Sequence, residues 1–73
     1  MNTTTEETMI DMTLEAIEKN HRNKADAIEF IQIKIGQYRL EAEKYSGFVR
    51  SCIHQSANDL EKRLNQAMKN SSI

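Results

Sequence analysis

One apolar stripe holds its phase across more than half of this chain: Ile28, Ile31, Ile35, Tyr38, Ala42, Tyr45, Val49, Cys52, Ile53, Ala57, Leu60, Leu64 and Ala67. At about 100° per residue these positions fall within a sector of roughly 140° on a straight α-helix. From Ile28 to Cys52 the spacing alternates three and four, as in a coiled coil, and it slips by one residue at Ile53, as a stutter does. Separate helices joined by a loop have no reason to share a phase. The stripe therefore predicts one long amphipathic helix over about residues 24–54, with a helical continuation or a third helix over about 57–70 and any break near 55–58.

What covers the stripe decides the architecture. At 73 residues the chain is a single helical domain, near the size where one core supplies only about 3–5 kcal/mol of net stability. One cysteine and two histidines offer little to a disulfide or a metal site, which leaves oligomerisation as the route to further burial. The expected fold is all-α, with a short N-terminal helix packed antiparallel on the long amphipathic helix in a coiled-coil-like or helix-bundle homo-oligomer. Its seam would be Ile28, Ile31, Ile35, Tyr38, Ala42, Tyr45, Val49, Cys52, Leu60 and Leu64. The alternative is intramolecular: a break folds the C-terminal segment back, and a three-helix bundle buries the stripe within one chain.

Local signals fill in the rest. Thr4-Thr5-Glu6-Glu7 has the pattern of a capping box, which starts the first helix at about residue 5 and carries it to about residue 20. Glu6 and Glu7 sit at the positive end of its dipole, Lys19 at the negative end, and Glu15 with Lys19 forms an i,i+4 pair. Ile10, Leu14 and Ile17 make its aliphatic face. His21-Arg22-Asn23 reads as a turn, and Asn23 with Asp26 starts the next helix. Phe30, Ile33 and Leu40 project opposite the stripe, where the first helix is expected to dock. Ile31-Gln32-Ile33-Lys34-Ile35 also alternates like a strand, but no second strand is present to pair with it. Ser46-Gly47 could close a helix whose last turn holds Lys44, and Ser56 or Asn58 could cap a third one. The unbroken stripe favours continuation through Gly47, at a cost of about 1 kcal/mol for a helical glycine. Asn70 to Ile73 is expected to fray.

Chemistry finds few footholds. Glu18-Lys19-Asn20-His21 is an E-x-x-H pattern, but di-iron bundles need two copies and further inward carboxylates. Cys52 and His54 project to nearly opposite sides of a helix, so Cys52 is expected to be a small buried hydrophobe and not a nucleophile or ligand. No phosphate-binding glycine loop occurs. No cofactor and no metal are expected. The N-terminus lacks a basic and apolar leader, and no apolar run approaches the ~20 residues of a membrane span, so a cytoplasmic protein is expected. A net charge of -1 gives no electrostatic footprint for general nucleic-acid binding.

The reading that remains is a small non-enzymatic protein-interaction module, a regulator, inhibitor or adaptor, that acts as a helical homo-oligomer on a larger host or target protein. Phe48, with Lys44 and Arg50 beside it, is the expected contact surface, since an exposed aromatic next to arginine has the character of an interface hot spot. An alternative is an oligomeric trap for a small anionic metabolite or nucleotide, built on the neighbours Tyr38-Arg39, Lys44-Tyr45 and Phe48-Val49-Arg50. A second alternative, DNA binding, lacks a basic recognition helix. With Asn, Lys, Ile and Glu abundant and no catalytic motif, the chain resembles in composition the short accessory proteins of bacteriophages and bacterial mobile elements.

Overall fold

A computed structural model of the chain describes residues 2–71, the first three of them by backbone alone. It is an up-down-up bundle of three helices: α1 (Asn2–Glu18), α2 (Lys24–Ala42) and α3 (Gly47–Ser71). No strand occurs among the described residues, and Ile31–Ile35 is helical. The helix α1 begins ahead of Thr4, so Thr4 lies within its first turn and does not cap it; the Thr4 side chain falls outside the described residues. At the other end, Asn70 and Ser71 continue α3 and do not fray, while Ser72 and Ile73 lie outside the described residues.

The first turn closes with polar groups that the sequence places there. Asn20 adopts a left-handed φ of 57°. Its N–H donates to the Ile17 carbonyl (3.0 Å) and the His21 N–H to the Ala16 carbonyl (2.9 Å), the two bonds of a Schellman motif with asparagine in the place glycine usually takes. His21 Nδ1 then accepts from the Asn23 N–H at 3.1 Å, which leaves the imidazole organising the turn. Glu15, 2.6 Å from the Lys19 ammonium, hydrogen-bonds it and raises its pKa above the ordinary value.

The second turn overturns the long-helix expectation. The helix α2 stops at Ala42, and Glu43, Lys44 and Tyr45 donate their N–H groups to the carbonyls of Leu40, Glu41 and Ala42 in a tightened last turn. Gly47 follows with φ +63°, a conformation that costs a residue bearing a Cβ roughly 1–2 kcal/mol. The connection over 43–46 is about one helical turn long. Counting through it therefore preserves the phase of the stripe while the chain reverses direction. The alternative of a break near 55–58 is also absent: α3 runs through it, with Ser56 Oγ bonded to the Cys52 carbonyl at 3.2 Å and Gln55 Nε2 donating to Asp59 Oδ1 at 3.0 Å.

The two glycines give this hairpin a direct test. Gly36 lies in the middle of α2 with open space around it, and Gly47 also has open space but a positive φ. Gly36→Ala should raise stability by about 0.5–1 kcal/mol through helix propensity, and Gly47→Ala should lower it by about 1 kcal/mol or more. Chemical denaturation of both variants checks the opposite signs; stabilisation by Gly47→Ala would mean a helix running on through that residue.

Burial follows from the hairpin. Ile10, Leu14 and Ile17 of α1 meet Ile31 and Ile35 of α2 and Ala57, Leu60, Leu64 and Ala67 of α3 in one core, with Ile28, Phe30 and Tyr38 packed partly against it. The expected oligomer seam is thus divided. Ile31, Ile35, Ala42, Leu60 and Leu64 are buried within a single chain, whereas Tyr45, Val49 and Cys52 remain exposed. Helix α1 runs antiparallel to α2 as expected, but it does not cover Ile33 or Leu40, which stay 51% and 72% exposed. Once α3 has folded back, the groove between α2 and α3 buries the aliphatic face of α1 from two sides. The back of α2 buries it from one, so the groove removes more apolar surface from water.

Candidate functional site

The register of the helices determines what is left over. Between α1 and α3, Arg63 pairs with Asp11, and Asn70 Nδ2 donates to Glu18 Oε2 at 2.9 Å, both across a separation of 52 residues. These two helices are parallel, and a register of 52 residues carried back along α1 brings the start of its described part towards the level of His54. Between α2 and α3, Arg39 donates to Asn58 Oδ1 (3.3 Å) and Glu61 Oε1 (3.1 Å), which places Ala42 near Ala57. Residues 47–53 of α3 therefore run about 10 Å beyond the described part of α1 and beyond Ala42, the last residue of α2. Only the 43–46 connection climbs alongside them.

That overhang carries Phe48, Val49 and Cys52, with Tyr45 entering from the connection. Phe48 is 82% exposed, the highest value among the exposed large hydrophobic residues. Cys52 is exposed as well, against the expectation of a buried hydrophobe, since it lies on the part of α3 that runs beyond Ala42 of α2 and beyond the described part of α1. The Glu43 carboxylate braces the base of the overhang. It accepts from Arg50 Nη2 at both oxygens (3.2 and 3.0 Å) and lies 3.8 Å from His54 Nε2. Lys44 pairs with Glu41 at 3.2 Å.

The cations beside the aromatic residues singled out in the sequence are engaged by neighbouring carboxylates. Arg39 is taken by Asn58 and Glu61, Lys44 by Glu41 and Arg50 by Glu43. Among the described residues a cation lies over a ring at Lys34, 5.7 Å from the Phe30 centroid, and it also reaches Glu6 at 3.1 Å. Glu18 and His21 point to separate tasks: Glu18 accepts from Asn70, and His21 accepts from the turn. Among the described residues no group of three or more His, Cys, Asp or Glu is placed to hold a metal ion. No helix of the described residues is long and apolar enough to cross a membrane.

Two apolar surfaces thus stand out, the α3 overhang and the back of α2 with Ile33 and Leu40, where Met9 and Met12 of α1 are also more than half exposed. On the first, Phe48, Lys44 and Arg50 are legible in the sequence. The second is not, because the apolar back of α2 reads in sequence as the docking face of α1. Comparison with protein-family models, with curated proteins and with solved structures finds no match to this chain.

Proposed function

We propose that this protein is a small non-enzymatic interaction module that docks on a larger protein through the overhanging first two turns of α3. The observation that carries the reading is Phe48, 82% exposed on a helical end that stands clear of the rest of the bundle. A buried aromatic anchor is the commonest source of binding energy at an interface, and a rigid helix presents one without the entropy cost of ordering a loop. Val49 and Tyr45 widen the apolar contact. Arg50, held by Glu43, supplies a fixed cation at its rim.

Affinity capture from native lysate with the wild-type chain, followed by titration of the captured protein, tests this. Phe48→Ala should weaken that binding by about thirtyfold or more, the scale of a hot-spot residue. Arg50→Glu should weaken it as well, while both variants keep the helicity and the melting behaviour of the wild type. Undiminished binding by Phe48→Ala would remove the overhang as the docking surface.

A further inference from the structure

The back of α2, together with the tightened turn that follows it, carries a pattern that the intramolecular core uses only in part, at Phe30. Asp26, Phe30, Ile33, Gln37, Leu40 and Lys44 follow one another at spacings of four, three, four, three and four, the repeat that keeps one helical stripe facing one partner. The outer part of this stripe is free, since Ile33 is 51% and Leu40 72% exposed. The order of spacings reads the same in both directions. Laid antiparallel on a copy of itself about a two-fold axis, the stripe sets Asp26 against the second copy's Lys44, Phe30 against its Leu40 and Ile33 against its Gln37.

We propose that a second copy of this chain occupies the back of α2 in this antiparallel register. Charge and shape select that occupant together. The carboxylate at one end of the stripe meets the ammonium at the other, twice by symmetry, and the large apolar side chains meet between them. Asp26 has no ion pair among the described residues, and Lys44 is tied only to the exposed Glu41, a contact cheap to exchange. Glu29 falls beside the second copy's Glu43, whose charge Arg50 already offsets through two hydrogen bonds. Met9 and Met12, exposed on the neighbouring α1, lie at the flank of the contact, where flexible thioethers adapt to irregular surfaces. An isologous contact of this kind closes at the dimer and does not propagate. Its area is that of one helix face with a narrow flank, so the dimer is weak, dissociating at roughly 10–100 µM.

Sedimentation of the full chain over a concentration series tests the proposal, with far-UV circular dichroism to confirm that each variant stays folded. Leu40→Glu should leave a folded monomer at all concentrations. Asp26→Lys alone and Lys44→Asp alone should each weaken association by about tenfold, because each sets like charges together at two symmetry-related places. The two combined should restore it to within about twofold of wild type, because the pair is then only reversed. A wild-type chain that stays monomeric to about 1 mM, an undiminished dimer in Leu40→Glu, or a double variant no better than its parents would each overturn it. The proposal does not rest on the reading of the α3 overhang. Phe48→Ala leaves the α2 stripe intact and Leu40→Glu leaves Phe48 in place, so either idea can fail alone; a dimer lost in Phe48→Ala and kept in Leu40→Glu would place the copies at the overhang and overturn this register.

Discussion

Ile35→Asp should abolish the fold, leaving a chain with little helical circular dichroism and no cooperative melt at a few micromolar. Ile35 is 6% exposed and belongs to the single core shared by the three helices. An unpaired carboxylate there costs several kcal/mol of desolvation, and burial pushes its pKa up so that it protonates instead. A core of this size has only about 3–5 kcal/mol to lose. The same substitution also separates the two ways of covering the stripe. In an intermolecular seam the charge splits subunits and leaves helical monomers, whereas in an intramolecular core the monomer itself unfolds. A helical, cooperatively melting monomer from Ile35→Asp would contradict the core described above.

Ala57→Leu should destabilise the bundle by about 1–3 kcal/mol, as overpacking does in a filled interior. Ala57 has no exposed surface and sits in the core cluster with Ile10 and Leu60. The added branch must displace a helix or force neighbouring side chains off their rotamers. Thermal melts of Ala57→Leu and of Ser56→Leu, an exposed neighbour, make the comparison: the first should lower the midpoint by several degrees and the second should hardly change it. Equal melting points would show the position to be looser than its burial indicates.

Much of the architecture is legible in the residues. The aliphatic positions Ile10, Leu14 and Ile17 form the buried face of α1, the turn after Lys19 falls where its polar residues stand, and α1 returns antiparallel along α2. The reversal at 43–46 is not legible from periodicity, because a connection about one helical turn long returns the next helix to the same phase. Gly47, preceded by Ser46 and by Lys44 in the last turn, is the local mark of it. Its positive φ is indistinguishable in sequence from the tolerated helical glycine that Gly36 is. Missing the reversal misplaces Ile33 and Leu40, since the groove that draws α1 away from them exists only after α3 has folded back. It also hides the exposure of Cys52. The exposure of Phe48 is legible regardless, because it lies off the stripe in either arrangement. Its neighbours Lys44 and Arg50 are exposed as expected, but Glu41 and Glu43 hold their charges, which no spacing rule for a single helix singles out.

The separation of 52 residues shared by the contacts between α1 and α3 has a kinetic meaning. Each adjacent pair of helices closes over a short turn at little loop entropy, while the parallel pair can meet only after both turns have formed. Bundles dominated by such local contacts fold in microseconds to milliseconds. Helix α1 is therefore expected to meet α3 late on the route. The bonds from Arg63 to Asp11 and from Asn70 to Glu18 act as latches on the finished bundle, so substitutions along this contact should shift the unfolding limb of a chevron and leave the folding limb in place.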